Sequence, residues 1–264
     1  MDSPIFTRGG RTIVAMSHIP ALPGAPDYDA GAGMSRLIDW VSGDIEALQA
    51  GGVDAILFGN EFDRPYVLQA TPESIAAFAA LVAAVKPMLQ VPFGVNYLWD
   101  PVASIALAAA TGARFIREIM TGVYASDMGL WNPNVAQAAR LRAQLALEAQ
   151  MLFNINAEFA TSLDSRDLPT RARSAVFSSK ADVVCVSGPM TGEGVEASAL
   201  AAVRQAIPET PLLANTGVTI ETVSGILQYA DGCVIGTHLK HQGNTWNPVD
   251  PERVQRFMDK VRSL

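Results

Sequence analysis

The chain has 264 residues, 49% of them hydrophobic, and a formal net charge of −7. That length suits one α/β barrel, which takes about 250 residues, and the apolar content allows a large core. Lys and Arg are scattered singly, so neither a nucleic-acid surface nor a polybasic membrane patch is expected.

In chain order, eight apolar runs rich in β-branched residues read as strands: 12–16, 55–59, 92–96, 114–119, 152–157, 183–187, 212–215 and 233–236. Their near-continuous hydrophobicity fits parallel strands buried on both faces. Between them, helices are predicted over 35–50, 72–85, 101–111, 135–148, 168–178, 196–206 and 220–229, with 251–261 closing the chain. Thr71 reads as the N-cap of the second, with Pro72 at its first position. Strand–helix alternation throughout predicts a single-domain parallel α/β architecture, a (β/α)₈ TIM barrel. A doubly wound open sheet is the alternative, weakened by the lack of GxGxxG after the first strand.

A weak repeat supports the barrel. Gly51-Gly52-Val53-Asp54, Thr111-Gly112-Ala113-Arg114, Ser179-Lys180-Ala181-Asp182 and Gln228-Tyr229-Ala230-Asp231 each place a helix end and a polar residue before an apolar run. These copies mark the stability face of a barrel rather than its functional face. Cys185 and Cys233 lie inside apolar runs and read as buried thiols. No signal-peptide pattern and no apolar run of roughly 20 residues is seen, so no membrane insertion and a cytoplasmic location are expected.

Functional side chains in a barrel come from the C-terminal strand ends. These carry His18, then Asn60-Glu61-Phe62-Asp63, Asn96, Arg117-Glu118, Asn154, Asn156 with Glu158, and Ser187. His18, Glu61 and Glu158 form the candidate acid/base pool. Arg117 sits in an apolar strand, where a cation pairs with an acid across the barrel or meets an anionic substrate. Asn96, Asn156, Ser187 and Asn215 suit substrate hydroxyls, with structural turn bonding as the plain alternative. His238 and His241 read as loop-packing residues.

The last two strands run into Gly217 and into Gly236-Thr237, so their backbones can face one anion. Gly188, Thr191, Gly192 and Lys240 join that candidate phosphate site; the plain alternative is that the glycines serve tight turns. A phosphorylated small molecule is therefore the expected partner. The four lysines are Lys86, Lys180, Lys240 and Lys260, and none lies on a central strand, which disfavours imine chemistry. No cofactor is predicted. A divalent metal is left open, since Glu61, Asp63, Glu118, Asp127 and Glu158 carry suitable oxygens. Trp131 and Trp246 read as loop aromatics that serve either as lids or in a subunit contact, and a homo-oligomer is expected.

Several motifs resemble those of the BtpA/SgcQ family. They are Met16-Ser17-His18-Ile19-Pro20-Ala21-Leu22-Pro23-Gly24-Ala25-Pro26, Gly94-Val95-Asn96, Ala113-Arg114-Phe115-Ile116-Arg117, Asp127-Met128-Gly129 and Val186-Ser187-Gly188 with Thr191-Gly192. Gly217-Val218-Thr219, Gly236-Thr237-His238-Leu239-Lys240 and Val249-Asp250-Pro251-Glu252-Arg253-Val254 extend the likeness to the end of the chain. The resemblance implies a TIM barrel of the ribulose-phosphate-binding type and does not itself specify a reaction. The chain departs from the family pattern at Gly59-Asn60-Glu61-Phe62-Asp63-Arg64-Pro65, and at Asn156-Ala157-Glu158-Phe159 where relatives tend to carry a Lys-His pair. Two functions are expected to compete: proton-transfer isomerisation, epimerisation or retro-aldol cleavage of a sugar phosphate, and a non-catalytic assembly or stability factor for a larger complex.

Overall fold

The computed structural model describes residues 3–264. Its strands, in chain order, are β1 (Thr12–His18), β2 (Ala55–Gly59), β3 (Phe93–Asn96), β4 (Phe115–Glu118), β5 (Tyr124–Ser126), β6 (Gly129–Trp131), β7 (Gln150–Asn154), β8 (Ala160–Ser162), β9 (Val183–Ser187), β10 (Leu212–Asn215) and β11 (Gly232–Ile235). The helices are α1 (Gly33–Gly51), α2 (Pro72–Val85), α3 (Pro101–Thr111), α4 (Val135–Gln144), α5 (Leu168–Phe177), α6 (Ala197–Ala206), α7 (Val223–Ile226) and α8 (Pro251–Arg262).

β1, β2, β3, β4, β7, β9, β10 and β11 pair in parallel and close into a (β/α)₈ barrel. The seam is sealed by Thr12↔Gly232 through Ala15↔Ile235. Inside the ring, Val14, Met16, Leu57, Phe115, Leu152 and Leu213 fill the axis. Phe6 plugs its lower end, with its ring edge-on to Phe115 at 5.1 Å. The plug is held because Gln150 Oε1 accepts the backbone N–H groups of Ile5 and Phe6. A second, larger apolar layer lies between the strands and the helices and buries Leu37, Val41, Ile45 and Leu48 of α1.

The sequence repeat acquires a physical meaning at the bottom of the barrel. Asp54 Oδ2 accepts Ile13 N–H, Asp182 Oδ2 accepts Met151 N–H and Asp231 Oδ2 accepts Leu212 N–H. Each acid thus satisfies the start of the neighbouring strand, where a buried donor would otherwise lack a partner. Gly52 and Gly112 end their helices in the left-handed conformation.

Four expectations are corrected. The segment 220–229 forms only the single turn α7, because the hydroxyls of Thr219 and Thr222 bond nearby backbone groups and compete with helix formation. α4 stops at Gln144, four residues early, and Ala146 takes a left-handed conformation with φ 48°. Thr71 does not cap α2 through its side chain; its hydroxyl donates to Ser74 instead. Between β4 and α5 the chain also builds a three-stranded antiparallel sheet, β6-β5-β8, where loops were expected. Trp131 is buried beneath it against Trp99 and Tyr124, with centroids at 4.9 and 5.3 Å, and so is a core residue rather than a lid or a contact.

No helix among the described residues is long and apolar enough to cross a membrane.

Candidate active site

Strand alternation decides which polar residues reach the barrel mouth. On β4, Phe115 points into the ring, so Arg117, two residues on, shares that face. On β1, Met16 points in likewise, and His18 follows at the rim. Glu61 enters from the loop after β2, and Glu158 from the turn after β7. His18, Glu61, Arg117 and Glu158 together line one cleft, along with Thr191, Gly192, Thr216, Gly217, Gly236 and Thr237.

All four inner groups are buried. His18 Nε2 stands 3.8 Å from Glu61 Oε1, and Arg117 Nη1 stands 3.9 Å from Glu158 Oε1. Burial disfavours charge, so it pushes the Glu61 carboxyl up to about 7, against the pull of Arg117. It raises Glu158 as well. His18 moves the other way: burial first, then the nearby Lys240 ammonium, hold it well below the usual imidazole value. The mouth therefore contains a neutral imidazole beside a carboxyl group poised to exchange its proton near neutral pH.

Glu158 is positioned by a hydroxyl–amide network. Its Oε1 accepts from Ser187 Oγ at 3.1 Å and Asn215 Nδ2 at 3.3 Å, and its Oε2 accepts from Thr191 Oγ1 at 3.2 Å. Asn154 and Asn215 each donate to Ser187 Oγ at 2.7 Å, which turns that hydroxyl's proton toward Glu158. Ser187 and Asn215 thus act on an acid, with Asn215 alone of the two also lining the cleft. Sequence reasoning placed Asn154 at a strand end without a role; its role depends on β7 stopping at that residue.

Other candidates take different places. Asn156 is spent on backbone: its Nδ2 donates to Ser187 O and its Oδ1 accepts Ser187 N–H. Asn96 donates to Glu118, which also accepts from Ser104 of α3 and lies between strands and helices, where burial raises its carboxyl well above the ordinary range. Gly188 donates its N–H to Thr216 Oγ1, and a Cβ there would meet Glu193 O at 2.0 Å. Gly217 is required for a similar reason, since its Cβ would fall 2.1 Å from the Glu193 carbonyl carbon and Gly194 N. Gly192, Gly217 and Gly236 all border the cleft; a Cβ at Gly236 would fall 3.0 Å from His18 Nε2, and the nearest atom to a Cβ at Gly192 would be Thr237 Cγ2 at 3.8 Å.

Lys240 requires a correction. Its ammonium is fully buried and pairs with Asp44 of α1 at 2.9 Å, so it does not line the cleft. Asp44 also accepts from Ser17 Oγ and Val249 N–H. Asp44 was missed by sequence reasoning, although an acid within the apolar stripe Val41, Ile45, Leu48 is a readable signal. His238 packs on Phe257 and accepts Ile220 N–H, while His241 lies 3.3 Å from Asp250 on the surface. Trp246 meets Phe62 edge-on at 5.2 Å and lies 3.7 Å from the Arg64 guanidinium, and the two rings line a separate hollow beside α1. No three His, Cys, Asp or Glu residues among those described converge as metal ligands. Both cysteines are buried, with thiols pushed up to about 12.

The cleft holds about 30 Å³, room for a few water molecules at most. A roomier hollow of about 580 Å³ lies outside the ring, beside the antiparallel sheet and α5. Its Arg166 and Asp164 already pair with one another at the surface. Convergence of four ionisable groups from separate strand ends assigns the candidate site to the mouth instead.

A sequence model of the BtpA family matches residues 10–263. The putative sgc region protein SgcQ of Escherichia coli K12 is 47% identical over 255 residues, 96% of this chain and 95% of that protein. The photosystem I biogenesis protein BtpA of Synechocystis sp. is 29% identical, covering 94% of this chain and 87% of its own. Among solved structures, phosphoribosyl anthranilate isomerase from Thermus thermophilus superposes with a TM-score of 0.58 over 96% of this chain and 98% of its own, at 10% identity, a likeness of fold alone.

Proposed function

This chain belongs to the BtpA family, and from that premise we propose that it is an enzyme acting on a small phosphorylated metabolite by proton transfer at carbon. The observation that supports this reading is the cleft that brings His18, Glu61, Arg117 and Glu158 together with Gly192, Gly217, Gly236 and Thr237.

In this reading the phosphate lies against the glycine–threonine wall, where backbone can approach an anion closely. Glu61 takes a proton from the carbon next to a carbonyl and returns it to the neighbouring carbon in isomerisation; in epimerisation a protonated Glu158 delivers a proton to the other face of the same carbon. Neutral His18, whose Nδ1 donates to the Thr245 carbonyl, presents Nε2 as an acceptor for a substrate hydroxyl proton, and Arg117 stabilises the resulting enediolate. Glu158, fixed by Ser187, Thr191 and Asn215, serves as the second acid/base. Phosphate binding remote from the reacting carbon supplies energy for its orientation. Retro-aldol cleavage instead removes the proton of a hydroxyl β to the carbonyl; the C–C bond breaks, an aldehyde leaves, and Arg117 stabilises the enediolate fragment until an acid reprotonates its carbon.

One observation favours the second reading, an assembly or stability factor. The cleft holds about 30 Å³, tight for a sugar phosphate, while Leu130, Leu163 and Phe177 are 70%, 60% and 91% exposed. A relative in Synechocystis bears the name of a photosystem I biogenesis protein.

A thermal-shift screen against pentose and hexose phosphates, with and without Mg²⁺, separates the two. A ligand at 100 times its dissociation constant stabilises the fold by about 2.7 kcal/mol. A shift that one sugar phosphate produces and Gly236→Asp abolishes supports the enzyme. Absence of any shift across the panel favours the factor.

A further inference from the structure

Two buried polar atoms of residues that line the cleft lack partners. Arg117 Nε is buried without a hydrogen bond, and so is Glu61 Oε2. Arg117 has one ion-pair contact among the described residues, to Glu158, and at 3.9 Å it is too long for a hydrogen bond. A buried guanidinium stays charged and is costly to leave unsatisfied.

Glu158 does not fill that need. Its two oxygens are taken up by Ser187, Asn215 and Thr191, which are neutral donors. The guanidinium therefore keeps open donors in a planar fork, and this geometry matches a carboxylate through two parallel N–H···O bonds. A hydroxyl or carbonyl oxygen can take one of these bonds but brings no opposite charge into a buried site.

We propose that the substrate carries a carboxylate as well as a phosphate, with Arg117 receiving the carboxylate at the floor of the cleft. The substrate class is then a compact phosphorylated hydroxy or keto acid, not a phosphate ester with a neutral far end. This rests on the phosphate reading of the glycine–threonine wall and adds a second anchor to it.

A matched pair of probes tests it by calorimetry on the full chain. 2-Phosphoglycolate and 2-hydroxyethyl phosphate have the same length and phosphate and differ only in carboxylate against hydroxymethyl. Inorganic phosphate is the third titrant. The expected result is that phosphoglycolate binds at least tenfold tighter than hydroxyethyl phosphate. In Arg117→Met that preference falls to within about twofold while phosphate binding persists. Arg117→Lys, which keeps charge but loses the fork, retains only part of it. Equal affinity of the two esters in the unmodified chain overturns the carboxylate anchor and leaves the phosphate reading standing. No binding of phosphate or either ester overturns both.

Discussion

The Lys240 ammonium lies 2.9 Å from the Asp44 carboxylate, with both side chains wholly out of solvent. The pair joins the segment after β11 to α1, and through Ser17 and Val249 it fixes the strand end that carries His18. Removing one partner leaves a buried, uncompensated charge, which costs about 3–5 kcal/mol. Lys240→Met is therefore expected to lose about that much stability in urea unfolding, and Lys240→Met with Asp44→Leu to recover part of it. A single variant as stable as the parent contradicts this account of Lys240.

Glu61 gives a pH dependence of definite sign. Its folded pKa of about 7 lies above the ordinary 4.5, so between these values the folded state holds a proton that the unfolded chain has released. Its contribution is full below about pH 4.5 and is lost as pH rises through 7, a change on the order of 3 kcal/mol. His18, held below 6.5, acts oppositely: stability falls as pH drops from 6.5 toward its folded value. The two partly cancel in the parent, so the clean comparison is with Glu61→Gln. That variant should gain stability relative to the parent at pH 8 compared with pH 5; a pH-independent difference contradicts the burial of this acid.

Glycine substitutions separate backbone packing from cleft lining. Gly192 and Gly217 both have positive φ, 88° and 58°. A Cβ on Gly192 meets only ordinary contact distances, so Gly192→Ala should cost about 1–2 kcal/mol of strain. At Gly217 the Cβ collides with the backbone of Glu193 and Gly194 at 2.1 Å. Gly217→Ala should be several-fold more destabilising in thermal unfolding. Equal losses at the two positions would sink this distinction.

Ser187→Ala removes the hydroxyl between Glu158 and the amides of Asn154 and Asn215. Leaving those buried donors short of a partner costs about 1–3 kcal/mol. The triple variant with Asn154→Leu and Asn215→Leu should recover part of that loss. A neutral Ser187→Ala contradicts the network.

The barrel was legible because its strands are continuous apolar runs and its helices keep polar faces, so local pattern and global fold agree. His18, Glu61, Arg117 and Glu158 were legible for the same reason: a polar residue ending an apolar strand has few places to go but the mouth. What failed depended on partners far apart in sequence. Lys240 stands beside a Gly-Thr turn and reads as an anion contact, but its partner Asp44 is 196 residues away. Gly217 does line the cleft, but its need for glycine, set by the backbone at Glu193–Gly194, was not legible. β5, β6 and β8 have three residues each, too short for alternation to show, and so Trp131 passed for a loop aromatic.

The central claim is that an anion binds at the mouth beside His18. The chain has only three histidines, so side-chain ¹H–¹³C NMR can watch each ring while inorganic phosphate is added, with His18→Gln supplying the assignment. The account predicts saturable shifts of the His18 signals, with His241 unmoved on the surface and the response lost in Gly236→Asp. Phosphate that shifts His241 alone, or no ring, contradicts it.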